Sequence, residues 1–348
     1  MIAAGGTGGH VFPGLAVADF LRATGWRVVW LGSKAGMEAK LVTQRGYELA
    51  AVRFSGVRGK GPIALLLLPL NLMLAFGQSV FAILARRPDV VLGMGGYMSF
   101  PGGMMAALLG RPLVIHEQNS VAGLANRVLA AVADRSLCAF PGALKGAAHV
   151  GNPVRAEITA VPAPEVRYAA RSGPLHVLVV GGSLGAKALN EVVPKALALL
   201  PAERRPIVTH QSGAQHLESL KAAYAIAGVQ ADTSAFIDDM AAAYADADLV
   251  VCRAGATTVA ELATAGAPGI LVPFPHAVDD HQTTNARFLS DAGAAVLLPQ
   301  GQLSAERLAE LISGLDRGRL LEMASRARSL GRPEAAAAVA RACMELAP

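Results

Sequence analysis

The residues best suited to chemistry sit in short polar runs, each following an apolar run. In Cys252–Ala286, CRAGATTVAELATAGAPGILVPFPHAVDDHQTTNA, the strand-like Leu249–Cys252 ends in Arg253-Ala254-Gly255 and a helix is expected to open near Thr257. Gly266 punctuates that helix, Gly269–Pro273 reads as a second buried strand, and a further helix begins near Thr283. Helix entrances at the carboxyl ends of neighbouring strands offer unpaired N–H groups and the positive end of the helix dipole, a setting for phosphate. Glu261, in the first turns, is within reach of a ribose diol; it also suits the N-terminal half of any helix, and both readings stand.

A second run opens the chain: Gly5-Gly6-Thr7-Gly8-Gly9-His10 follows the strand-like Met1–Ala4 and precedes an apolar helix over about Pro13–Thr24. The turn departs from the dinucleotide fingerprint, because Val11 stands three after Gly8 and the second strand ends in Gly32-Ser33 without an acid. Nicotinamide is therefore not expected, and no cofactor is. His10 is placed to act as a general base, or to cap the helix. Gly93-Met94-Gly95-Gly96-Tyr97-Met98-Ser99 is another glycine loop, and His116-Glu117-Gln118-Asn119 stands at the tip of the strand Pro112–Ile115. Polar side chains at the end of an apolar strand suit a site better than a core. No second His follows at helical spacing, so no zinc signature forms.

The elements needed to hold these residues are those of an α/β protein. The chain has 348 residues, room for two domains, and 53% apolar against 16% charged residues argues for a large core. A net charge of +5 is mild and implies no nucleic-acid partner. Cys138, Cys252 and Cys343 are too scattered for a disulfide framework or metal knuckle. A strand–glycine–helix unit starts at Gly5 and another at Gly181, so two open parallel sheets facing each other are expected. They comprise residues 1–155 with a C-terminal helix at about 330–348, and residues 156–329. The stretch holding Pro162, Pro164, the arginines of 167–171 and Pro174 reads as the linker.

Residues 49–88 hold Arg53, Arg58, Lys60, Arg86 and Arg87, no acid but Asp89 just beyond, and the apolar stretch Ile63–Leu84. A helix there would be ~33 Å long, enough to cross a bilayer. Pro69, Asn71, Gln78 and Ser79 interrupt it, and a span would break the sheet. What remains is a helix buried against the sheet or a surface helix docking on an anionic membrane.

Two motifs imitate other chemistry. Gly181-Gly182-Ser183-Leu184-Gly185 matches a hydrolase nucleophile elbow, with Asp279, Asp280 and His281 downstream, but the strands such a fold needs before its elbow are missing. Asp246-Ala247-Asp248 imitates a metal-binding pair; in its alanine-rich context it reads as surface.

GGTGGHVFPGLAVA, GGYMSFPG, HEQNSVAGLANR, GNPVR, GGSLGA, FIDDM and the Cys252–Ala286 run, in this order, resemble the MurG family of bacterial peptidoglycan N-acetylglucosaminyltransferases with the GT-B fold. The resemblance implies metal-independent, inverting transfer of GlcNAc from UDP-GlcNAc to lipid I (undecaprenyl-diphospho-MurNAc-pentapeptide), giving lipid II. It implies uracil near Ile237, ribose on Glu261, diphosphate on Ser183 and the entrance Ala256, Thr257 and Thr258, and sugar hydroxyls on Gln282. Asn119, Arg155, Thr7, Gly8 and Gly9 match further donor-contact positions, and Gly95, Gly96, Tyr97, His116 and Asn126 fall in loops that would meet the acceptor. His10 is the first candidate for the base and Glu117 the second. Peripheral attachment at the cytoplasmic face of the plasma membrane, through Ile63–Leu84, completes the expectation. Rival readings are another enzyme of this fold, such as a UDP-GlcNAc 2-epimerase, and a non-catalytic nucleotide-sugar-binding or membrane-scaffolding subunit.

Overall fold

The computed structural model describes residues 1–54, 56, 61, 66–182 and 184–347. They form two compact units, one of Met1–Arg155 with the segment from Pro333 onward, the other of Ala156–Arg332.

The first unit runs β1 (Ile2–Ala3), α1 (Gly8–Ala23), β2 (Val29–Gly32), α2 (Met37–Gln44), β3 (Glu48–Ala51), α3 (Leu68–Arg86), β4 (Val91–Gly93), α4 (Ser99–Leu108), β5 (Leu113–Glu117), α5 (Leu124–Leu129), β6 (Arg135–Cys138) and β7 (Ala148–His149). Among the described residues its strands make one parallel sheet in the order β3-β2-β1-β4-β5-β6-β7. Strands such as Leu113–Glu117 are buried along their whole length, as expected where helices cover both faces. The order reverses between β1 and β4, so the loops after these two strands lie side by side, where such sheets bind ligands.

The second unit repeats the plan. After α6 (Ala156–Thr159) and α7 (Pro164–Ala169) come β8 (His176–Val180), α8 (Lys187–Ala198), β9 (Ile207–Gln211), α9 (Leu217–Ala227), β10 (Asp232–Ser234), α10 (Met240–Asp246), β11 (Leu249–Cys252), α11 (Ala256–Ala265), β12 (Gly269–Leu271), α12 (His281–Ser290), β13 (Ala295–Leu297), α13 (Ala305–Ser313) and α14 (Arg317–Leu330). The parallel order is β10-β9-β8-β11-β12-β13, reversing between β8 and β11. The chain closes with α15 (Ala335–Met344), whose Val339, Ala340 and Cys343 join Val11, Leu15 and Trp30 in the core of the first unit.

Three expectations change. The proline-marked linker is a clasp: Tyr168 and Arg167 are buried, and the Arg167 guanidinium donates to the carbonyls of Tyr244, Ala265 and Gly266. Asp248 is not on the surface but wholly enclosed, paired with Arg171 at 2.5 Å and Arg317 at 3.3 Å. Burial alone would raise its pKa, yet the His176 N–H and Arg171 hold the carboxyl below its ordinary value. That carboxylate is committed to guanidiniums and serves the fold.

The third change concerns α3. Residues 63–65, with Arg58 and Lys60, lie outside the described residues, and the helix begins at Leu68. Pro69 does not interrupt it, because in the first turn its missing N–H costs nothing. Small residues (Ala75, Ser79, Ala82) and Ile83 face the core, while Leu70, Met73, Leu74, Phe81 and Leu84 are exposed. The helix is long and apolar enough to cross a membrane by length and composition, yet only 22% of its apolar window is buried in the protein. Its large side chains are on the outside, the reverse of a core helix.

Candidate functional site

In the first unit, α1 starts at Gly8 with Thr7 as N-cap; no side chain caps the helix and its first turn carries no acid. Its first N–H groups are therefore available to an anion. The loop after β4 closes on this entrance. Gly96, at φ +74°, lies so close that a Cβ there would stand 2.3 Å from the Gly5 carbonyl oxygen. A Cβ on Gly95 would stand 2.9 Å from His10 Nδ1 and 3.0 Å from Gln118 Oε1. These glycines are required for the two loops to meet around His10. Tyr97 packs edge-on against Phe54, and burial, followed by the Glu38 charge, raises its phenol pKa.

His10 Nδ1 lies 2.8 Å from Gln118 Oε1. Gln118 Nε2 lies 3.0 Å from His116 Nδ1 and donates to the His116 carbonyl at 3.1 Å, and His116 Nε2 lies 2.9 Å from the Gly151 carbonyl oxygen. Carbonyl oxygens only accept, which fixes the chain's direction. His116 donates from Nε2 to Gly151, so its Nδ1 is an acceptor; burial pushes its pKa down to about 4, the Gly151 bond opposing, and keeps the ring neutral. Gln118 then turns its amide nitrogen to His116 and its oxygen to His10. Neutral His10 must carry its proton on Nδ1, leaving the lone pair on Nε2. That is the tautomer a general base needs.

His116 and Asn126 are thus enclosed rather than presented to a ligand, at 0% and 1% exposure. Glu117 changes role. At 2% exposure its Oε1 accepts from the Asn119 N–H at 2.9 Å, and Oε2 from the Gly123 N–H at 3.1 Å and Asn126 Nδ2 at 2.8 Å. Both oxygens are committed to donors of its own loop, so Glu117 holds the 117–126 segment and is not built to take a proton. Asn119 is half-buried beside it, and Arg155 is half-buried at the end of the unit.

In the second unit, the loop after β8 and the entrance of α11 lie at the strand-order reversal. Ser183 lies outside the described residues. Its loop is anchored at Gly185, at φ +77°, where a Cβ would meet the Ser212 carbonyl oxygen at 1.9 Å. Asn190 Nδ2 donates to that same oxygen at 3.0 Å, and Asn190 Oδ1 accepts from His210 Nε2 at 3.1 Å. Gly255 begins α11 with no side-chain cap and no acid in the first turn. Ala256, Thr257 and Thr258 supply its first N–H groups, and the buried Thr257 hydroxyl has no partner among the described residues. Like the α1 entrance, that of α11 offers unpaired N–H groups to an anion, here with a hydroxyl added. Glu261, 7% exposed, accepts from the Tyr244 phenol at 3.0 Å. Gln282 accepts from the Phe274 N–H at 2.9 Å through Oε1, which turns its amide nitrogen outward as a donor. Ile237 is half-buried just beyond β10.

The glycosyltransferase family 28 N-terminal domain matches residues 1–138, and the family 28 C-terminal domain residues 176–339. A protein of Aromatoleum aromaticum is 66% identical, covering 100% of this chain and 97% of the relative, and one of Cupriavidus metallidurans is 64% identical, covering 100% and 98%. Both are named UDP-N-acetylglucosamine–N-acetylmuramyl-(pentapeptide) pyrophosphoryl-undecaprenol N-acetylglucosamine transferase. The crystal structure of Acinetobacter baumannii MurG aligns with a TM-score of 0.86 and 42% identity, covering 99% of each chain. The chain belongs to the MurG family.

Its two parallel sheets are those of the GT-B fold, and it is a glycosyltransferase of family 28. A Listeria monocytogenes UDP-N-acetylglucosamine 2-epimerase shares the fold alone, at 13% identity and a TM-score of 0.65. Within this MurG-family chain, two groups at the site were not singled out from the sequence. Glu38 is fully buried and accepts from the Ser33 N–H at 3.0 Å and, at 3.4 Å, from the Gly6 N–H in the first glycine loop. Tyr244 sits in the alanine run Ala241–Ala245, which carries no motif. The signal for Gln118 was present in HEQN, but its bond to His10 spans 108 residues.

Proposed function

We infer that the protein transfers GlcNAc from UDP-GlcNAc to the acceptor hydroxyl of lipid I, with inversion at the anomeric carbon. The observation that carries the mechanism is the bond chain from His10 through Gln118 and His116 to the Gly151 carbonyl, which leaves His10 Nε2 as a base. The acceptor oxygen attacks C1 of GlcNAc as the bond from C1 to the UDP oxygen breaks. The electron pair leaves with UDP, and the acceptor proton passes to His10 Nε2. The open N-terminus of α11, with Thr257 and Thr258, stabilises the charge growing on the diphosphate, and Arg155 matches a donor-contact position of the family. Glu261 accepts from the ribose, Ile237 borders the uracil, and Gln282 donates to the sugar hydroxyls. The Gly95–Tyr97 loop presents N–H groups to the acceptor diphosphate, and the α1 entrance (Thr7, Gly8, Gly9) contributes to the donor.

The exposed apolar face of α3 supports peripheral attachment to an anionic membrane, on the cytoplasmic side of the inner membrane where an undecaprenyl acceptor and a nucleotide sugar meet. Each apolar side chain inserted contributes about 1.5–3 kcal/mol, and neighbouring basic residues about 1 kcal/mol each.

The test is transfer of radiolabelled GlcNAc to a lipid I analogue, in the presence of a chelator, by wild type and His10→Ala. Transfer by wild type and a fall of about 10²–10⁴ in the variant are expected. Binding of UDP-GlcNAc without transfer would overturn the assignment and restore the epimerase or binding-subunit readings.

A further inference from the structure

We infer that Tyr244 is the positioning residue for ribose recognition: its phenol fixes the Glu261 carboxylate, and so makes the site select ribonucleoside over 2′-deoxyribonucleoside diphosphates. The inference rests on the reading of Glu261 as the ribose acceptor.

Tyr244 belongs to α10 and Glu261 to α11, so their contact depends on two separate helices keeping their spacing. The Tyr244 side chain is fully buried, and its hydroxyl donates to Glu261 Oε2 at 3.0 Å. Its main chain is gripped as well. Arg167, itself 7% exposed, donates from one nitrogen to the Tyr244 carbonyl at 2.8 Å, and from another to the carbonyls of Ala265 at 2.9 Å and Gly266 at 2.5 Å. One guanidinium therefore ties the carboxyl-terminal ends of α10 and α11, where a cation is favoured by both dipoles. Clamped at carbonyl and hydroxyl, Tyr244 cannot move without moving the helix that carries Glu261.

A carboxylate nearly removed from water needs donors, and the direction of each donor sets its plane. A ribose offers two adjacent hydroxyls and needs that plane fixed in advance; a 2′-deoxyribose offers one and gains less from it. Phenylalanine at 244 would fill almost the same volume, so the hydroxyl alone carries the effect.

The experiment is calorimetric titration of UDP and 2′-deoxy-UDP into the full chain, as wild type, Tyr244→Phe, Glu261→Gln, and with 4-aminophenylalanine at position 244. Wild type is expected to prefer UDP by about 10–100-fold. Tyr244→Phe should reduce that preference to a few-fold by weakening UDP, with 2′-deoxy-UDP changed by no more than about twofold. The amino analogue, which keeps a donor in place, should restore the preference. Full preference in Tyr244→Phe beside its loss in Glu261→Gln would reduce Tyr244 to packing. Should Tyr244→Phe fail to fold, a folded amino analogue without preference would overturn the inference equally. No preference in wild type, or full preference in Glu261→Gln, would instead remove the ribose reading of Glu261 itself.

Discussion

Gln118 turns its amide oxygen to His10 Nδ1 at 2.8 Å and its amide nitrogen to His116 Nδ1 at 3.0 Å, so a neutral, buried side chain sets the tautomer of His10. Gln118 is 1% exposed and has no room to rotate away. Replacing it by Leu should leave His10 unoriented and lower kcat by about 100-fold, with the KM for UDP-GlcNAc little changed. Gln118→Glu should retain more activity, and its rate profile should shift, with the acid limb moving to higher pH because a facing carboxylate stabilises the imidazolium. Steady-state kinetics over pH 5–9 separate these outcomes from a packing defect, which would move neither limb.

Glu117 makes the opposite prediction. An amide at this position would direct its NH2 at the donors of Asn119, Gly123 or Asn126, which now bond to the carboxylate. Glu117→Gln should lose about 1–3 kcal/mol of stability in urea unfolding and part of kcat, while the pH–rate profile keeps both limbs. Disappearance of the acid limb would mean that Glu117, rather than His10, takes the proton.

Two buried histidines should make the protein sensitive to mild acid. Burial pushes His116 down to about 4 and His210 down to about 3, from an ordinary value of 6.5. Below pH 6.5 the unfolded chain binds protons that the folded chain refuses, so stability falls as pH drops from 6.5 towards these values and is fully present above 6.5. Across its full window His116 contributes about 3 kcal/mol and His210 about 5 kcal/mol. Urea midpoints at pH 7 and 4.5 test this, and His210→Gln, which removes one titrating group, should show a smaller difference between the two.

The outer face of α3 should matter for lipid and not for folding. Met73 and Phe81 are 69% and 72% exposed. Met73→Glu with Phe81→Glu should weaken co-sedimentation with anionic vesicles at least 10-fold and leave the melting temperature within about 1 °C. Transfer to a water-soluble acceptor analogue should persist. Unchanged vesicle binding would send the search for the membrane face elsewhere on the protein.

Much of this protein was legible in its sequence because the information is local. Strand, glycine turn and helix are contiguous, so the glycine loops after β1, β4 and β8 and the open entrance of α11 could be located from residue order alone. The order of motifs was equally a property of the chain, and it carried the family. Other features depended on groups far apart in sequence. Asp248 in an alanine run resembles a surface acid until Arg171 and Arg317, 77 and 69 residues away, enclose it. The outward-facing large side chains of α3 could not be told from inward ones by composition, because a helix rich in Leu, Met and Ala offers the core either its large or its small face. HEQN identified a polar cluster but not its division of labour. Only packing decided that Glu117 spends its oxygens on its own loop while Gln118 reaches His10, since a carboxylate becomes base or anchor according to the donors folded around it.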